Sequence, residues 1–80
     1  MDINDFIHKI EDTFDDIKAG TLNPESNIRE HEGWDSVNAL IFIALVDVEY
    51  NVEINADDLV KSKTIRDLFQ LIQIKAANQS

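Results

Sequence analysis

Eighty residues suffice for one small domain, and so short a chain has too little interior for many kinds of enzyme pocket. It contains no cysteine, which excludes disulfides, thiolate nucleophiles and cysteine-based zinc sites. Its formal net charge of -9 repels nucleic acid and anionic lipid, so neither is an expected partner. A hydrophobic fraction of 44% is enough for a globular fold and too high for a disordered chain. Small secreted domains usually need covalent staples, so their absence points to the cytoplasm. The longest apolar run, Ala39 to Val46, is far too short to span a membrane. A single domain is expected over residues 1–80, ordered from about 2 to 75 and acting as a monomer.

In chain order, Ile3, Phe6, Ile7, Ile10, Phe14 and Ile17 recur at helical spacing, with Asp2 as N-cap and Gly20 as the stop. Residues 20–35 read as a long loop, broken by Asn23-Pro24 and pinned to the core by Leu22 and Ile28. A second helix is predicted from Ser36 to Tyr50, with Asp35 capping the N–H groups of its first turn. Its Leu40–Val46 stretch alone would suit a buried strand, but the flanking polar residues and the unbroken length favour a helix. Asn55, followed by Ala56, Asp57 and Asp58, signals a short third helix whose acids suit the helix dipole. Thr64 opens the last helix, with Asp67 as its capping-box partner and Ile65, Leu68, Phe69 and Ile72 on the buried face. The tail from Ala76 to Ser80 is expected to fray. The whole reads as an all-α fold, a small four-helix bundle of three longer helices and one short one.

The second helix has two apolar stripes. Ala39, Ile43, Val46 and Tyr50 share one, with Phe42 beside them; Val37, Ile41, Ala44 and Val48 share another, roughly opposite. A thin bundle covers one stripe; whether a neighbouring helix also covers the second, or leaves it to solvent and partners, periodicity does not decide. Ser36 follows the cap directly, where unpaired N–H groups and the positive end of the dipole would receive a phosphate. A serine there also serves simply to help cap the helix. A hydrolase nucleophile needs a base and an orienting group, yet the only histidines are His8, on the solvated side of the first helix, and His31, in the loop. The Gly-x-Ser-x-Gly elbow is absent. Asp57-Asp58 and the run Glu49 to Glu53 lack the alternating acids and central glycine of a calcium loop.

The stretch Gly33-Trp34-Asp35-Ser36-Val37 resembles the Asp-Ser-Leu motif of acyl carrier proteins, in which the serine receives 4′-phosphopantetheine from coenzyme A. Downstream, Ala44-Leu45-Val46-Asp47-Val48-Glu49-Tyr50-Asn51-Val52-Glu53-Ile54 is similar to that family's run at the end of its second helix. Asp57-Asp58 and Lys63-Thr64-Ile65-Arg66-Asp67-Leu68 resemble its third helix and the start of its fourth. The resemblance covers residues 33–74, while the first helix agrees in pattern only. It implies an acyl-carrier-type bundle in which Ser36 carries the phosphopantetheine arm and Asp35 helps position it in a phosphopantetheinyl transferase. Val37, Ile41, Ala44 and Val48 would then face partner enzymes that load and transfer acyl or aminoacyl groups. Ile43, Val46, Tyr50, Ile54, Leu59 and Leu68 would line the space where some members hide an acyl chain.

Several positions depart from the pattern. Val37 replaces the motif leucine, Ile41 and Val48 stand where fatty-acid carriers usually show acids, Ser62 replaces an apolar residue, and Trp34 is more like carriers of specialised pathways. A discrete, non-catalytic carrier for a dedicated biosynthetic pathway is therefore expected, not the housekeeping carrier of fatty acid biosynthesis. The competing reading is a helical interaction module that never carries the arm and binds through the Val37, Ile41, Ala44 and Val48 stripe alone.

Overall fold

A computed structural model of the chain describes residues 2–15, 17–18, 20–31 and 34–78. They form four α-helices and no strand: α1 Ile3–Thr13, α2 Ser36–Tyr50, α3 Ala56–Lys61 and α4 Ile65–Ala77. The fold is thus the all-α, four-helix bundle that the apolar spacing predicts.

Asp2 caps α1 by accepting the Asn4 N–H. The helix ends at Thr13, about a turn short of Ile17 and well before Gly20, which the sequence suggested as its stop; Phe14 is already extended at φ -106° and ψ 105°. Two local features explain this. No basic residue stands in the last turn, while Asp12 and Asp15 crowd the negative end of the helix dipole. The Thr13 hydroxyl also donates to the Lys9 carbonyl at 2.7 Å, a bond that weakens the continuing ladder. Phe14 and Ile17 are nonetheless buried, Ile17 from a bend in the loop. The apolar period therefore reports burial beyond the point where it reports helix.

The long loop is held mainly through its backbone. The buried Glu11 carboxylate of α1 accepts the Gly20 N–H at 2.9 Å and the Leu22 N–H at 3.4 Å. Gly20 has φ +86°, a left-handed conformation that glycine adopts without steric cost. The carbonyls of Pro24 and Ser26 accept the Arg66 and Ile65 N–H groups, both at 2.9 Å, which fastens the loop to the start of α4. A 3-10 turn at Ile28–Glu30, capped by Asn27, has no counterpart in the sequence reading and buries Ile28. Leu22 and Ile28 do pack on the core as expected.

Asn51 ends α2 in the left-handed region at φ 54°, which asparagine tolerates better than most residues. Asn55 and Asp58 form a capping box at the start of α3, and Thr64 and Asp67 form one at α4. α4 runs on through Ala77, past the Ala76 at which fraying was expected; Gln79 and Ser80 lie outside the described residues. Phe6 stands at the centre of the core. Its ring lies 6.0 Å from Phe42 of α2, 5.8 Å from Tyr50 and 5.6 Å from Phe69 of α4. Ile10, Val46, Ile65 and Ile72 complete this interior, fully buried.

Candidate functional site

The start of α2 is fixed from both sides. One turn and a half into the helix, Phe42 is fully buried and meets Phe14 at 6.4 Å and Trp34 at 6.3 Å between ring centroids. Trp34 also packs on Phe14 at 5.8 Å, and its backbone N–H donates to the His31 carbonyl. Trp34, which leads into the cap, is thus anchored by two aromatic rings, so the cap has a defined entry direction. Gly33 of the motif lies outside the described residues.

Asp35 is the N-cap: its carboxylate accepts the Asn38 N–H at 3.0 Å and its carbonyl accepts the Ala39 N–H at 3.1 Å. A helix leaves its first N–H groups without intrahelical partners, and with Asn38 taken by the cap, those of Ser36 and Val37 remain at the mouth. Ser36 is the first residue of the helix, and both it and Asp35 are exposed. The hydroxyl therefore projects into solvent at the positive end of a well-capped helix.

Along α2, Val37, Ile41, Ala44 and Val48 are all exposed, which decides the alternative that periodicity left open. Exposure along the stripe is uneven, at 59% for Val37, 40% for Ile41 and 80% for Val48. Leu40 joins the stripe at 68%, although the two-stripe pattern did not include it. On the opposite side Phe42 and Val46 are buried, with Leu45, which the pattern had also left out. Ala39, Ile43 and Tyr50 are partly buried against the same core. The helix is apolar nearly all round, so its pattern alone could not rank these leucines; the packing of α1, α3 and α4 around it does.

The six residues expected to face an inner acyl chain occupy the core itself. Val46, Ile54, Leu59 and Leu68 are buried, and Ile43 and Tyr50 are half-buried. The Tyr50 hydroxyl oxygen is buried without a hydrogen-bond partner among the described residues. Burial pushes its phenol pKa up, and the nearby Glu49 and Asp5 charges add to the rise.

None of the six lines a pocket of about 280 Å³ that lies between the end of α1, the loop and the first half of α2. Phe14, Ile17, Trp34 and Ile41 form its apolar walls. Thr13, Asp15, His31 and Asn38 supply polar groups around it. Sequence reasoning missed this pocket because its walls come from segments some 20 residues apart, joined only by the irregular loop. The signal present was a pair of large aromatics, Phe14 and Trp34, flanking that loop.

The acids around the site are sparsely compensated. Asp47, Glu49 and Glu53 are exposed, with no Lys or Arg in the sequence between Arg29 and Lys61. Compensation begins on α3, where Lys61 pairs with Asp57 at 2.9 Å and Lys75 of α4 reaches Asp58 at 3.2 Å. Burial pushes the Asp58 carboxyl up, but the Asn55 N–H and the Lys75 ammonium outweigh it and hold its pKa below the ordinary value. Among the described residues no group of three or more His, Asp or Glu is placed to hold a metal ion, and no helix is long and apolar enough to cross a membrane.

Compared with known proteins, residues 13–72 match the family described as the phosphopantetheine attachment site. No curated protein and no solved structure matches the chain. The matched stretch covers three quarters of the sequence, from the end of α1 into α4, and contains Asp35 and Ser36. The chain therefore belongs to the phosphopantetheine-attachment family of carrier proteins, which are generally non-catalytic, and its cofactor is a covalently attached 4′-phosphopantetheine.

Proposed function

We propose that Ser36 is the attachment point and that the protein holds acyl or aminoacyl intermediates as thioesters, presenting them to the enzymes of a dedicated biosynthetic pathway. One observation carries this reading. Within the family-matched stretch, Ser36 offers an exposed hydroxyl at the first position of a helix whose cap is in place. The surroundings fit a phosphodiester: the Ser36 and Val37 N–H groups and the helix dipole face the position the phosphate would take. No packed side chain has to move to admit it, since Asp35, Ser36 and Val37 are all exposed.

In the modification, Ser36 Oγ attacks the phosphorus next to pantetheine in coenzyme A. The new Ser–O–P bond replaces the bond to adenosine 3′,5′-bisphosphate, which leaves, and the hydroxyl proton passes to a base of the transferase. Asp35 orients the helix start in that encounter. The bound group supplies a thiol on a long flexible arm, which is the thioester-forming chemistry this chain lacks. The chain contributes position, charge and a docking face: Val37, Leu40, Ile41, Ala44 and Val48 form an apolar centre, and the acids around it steer basic partners. Those partners are a phosphopantetheinyl transferase and the enzymes that load and unload the thiol. We read the carrier as a cytoplasmic monomer.

Intact mass before and after incubation with coenzyme A and a broad-specificity phosphopantetheinyl transferase tests the assignment. Wild type should gain one phosphopantetheine and Ser36→Ala none. An unchanged wild-type mass, with a transferase active on another carrier, would favour a module that binds partners through the α2 stripe without an arm.

A further inference from the structure

The pocket between the end of α1, the loop and α2 takes no part in attaching the arm. We propose that it receives the cargo carried on that arm, and that the cargo it suits is a short acyl group with an apolar body and a protonated amine, an aminoacyl group. The proposal rests on Ser36 being the attachment point.

Reach comes first. Trp34 and Asn38 are each two residues from Ser36, and both line the pocket. Ile41, on its far wall, lies five residues along the helix, which puts its Cα about 9 Å from that of Ser36 at 1.5 Å rise and 100° per residue. A phosphopantetheine chain is longer than this. By the same geometry Asn38 and Ile41 lie about 200° and 140° around the helix from Ser36, so the arm would turn over the helix start past Trp34 and not run down the helix face.

Size and chemistry then select the cargo. A volume of 280 Å³ holds about nine groups the size of a water molecule, so a long alkyl chain outgrows it. The rings of Phe14 and Trp34, with Ile17 and Ile41, offer apolar contact and aromatic faces on which a cation can rest. Among the described residues Asp15 is the carboxylate at the pocket, His31 is its basic side chain, and no Lys or Arg lines it. An ammonium would meet the Asp15 carboxylate and two aromatic rings, whereas a cargo ending in a carboxylate would meet Asp15 as a like charge, with His31 as the basic group on the wall. The buried Val46, Ile54, Leu59 and Leu68 belong to the packed core and do not line this pocket.

The test is direct because Trp34 is the sole tryptophan and stands in the pocket wall. Arms bearing leucyl, 4-methylpentanoyl, succinyl and dodecanoyl groups would be loaded through non-hydrolysable coenzyme A analogues. Loading would be verified by mass, then Trp34 emission and backbone amide shifts compared with the cargo-free holo-protein. The leucyl arm should shift Trp34 emission and the amides of Phe14, Asp15 and Ile41, beyond the 4-methylpentanoyl arm that differs by the amine alone. Asp15→Asn should abolish that difference, with far-UV circular dichroism checking the fold. Equal responses to leucyl and 4-methylpentanoyl arms would overturn the amine preference. Verified loading with no shift at Trp34 for any cargo, or shifts centred on Val46, Ile54 and Leu68, would overturn the pocket assignment. No mass gain at all would overturn the attachment reading, and this one with it.

Discussion

Replacing Ile41 with Glu separates the two jobs that this residue performs, as part of an exposed stripe and as a wall of a pocket. On a surface stripe such a change should cost less than about 0.5 kcal/mol. Ile41, however, is only 40% exposed, so three fifths of the residue's surface is covered. Complete burial of an Ile stabilises by roughly 1.5–3 kcal/mol, so the covered part is worth about 1–2 kcal/mol. The methylenes of Glu recover some of that contact, while its charge stands close to Asp15 across the pocket. The net cost should be about 1 kcal/mol, which lowers the melting temperature of a domain this size by about 4–8 °C. Val48 provides the internal control: it is 80% exposed, and Val48→Glu should stay within about 0.5 kcal/mol of wild type. Thermal and urea melts followed at 222 nm would measure both, with Ile41→Gln removing the charge contribution. Equal stability of Ile41→Glu and Val48→Glu would refute the argument, because Ile41 would then pack against nothing that matters. Both variants should also raise the KM of the transferase, since each puts an acid in the apolar stripe proposed as its docking centre.

Salt, or millimolar magnesium or calcium, should raise the melting temperature, because Glu30, Glu32, Asp35, Asp47, Glu49, Glu53, Asp57 and Asp58 occupy a stretch without Lys or Arg; melting indifferent to ionic strength would count against this. Asp58→Ala should cost about 1 kcal/mol at pH 7 through loss of its capping-box bond and its Lys75 partner. The Asp58 carboxyl pKa is lower folded than unfolded, so its contribution is complete above about pH 4 and disappears as pH falls through the folded value. Urea midpoints of wild type and variant should therefore converge in acid, and a constant gap would exclude the ionic contribution. Tyr50→Phe should leave stability unchanged or raise it by up to about 1 kcal/mol, because the buried hydroxyl has no partner to lose; a clear loss in a urea melt would reveal a bond to that oxygen.

The bounds of α2 were legible because a cap and a long apolar segment agree: Asp35 leads into fifteen residues free of Gly and Pro. The same held for α3 and α4, whose starts carry their own capping residues. The end of α1 was misjudged because Phe14 and Ile17 keep the helical period while the acids around them oppose the dipole, and burial won without the helix. Leu40 and Leu45 could not be sorted within α2, since a helix apolar on both sides takes its inside from whatever packs on it. Ser36 stands out as a candidate through two residues of motif and a downstream run, and what the structure adds is its place at the exposed start of α2. The pocket beside it was not, because it exists only where the loop brings Trp34 back to Phe14, a contact that no local pattern encodes.

The long loop is clamped at its main chain: Glu11 accepts from Gly20 and Leu22, and the Pro24 and Ser26 carbonyls accept from Arg66 and Ile65. Bonds to backbone groups tolerate exchange of most side chains that the loop displays, apart from the glycine conformation and the apolar pins. This divides the molecule into a part that must be conserved to fold and a part free to diversify. Variants of the loop could thus retune which molecules the carrier meets and holds while Ser36 stays in register.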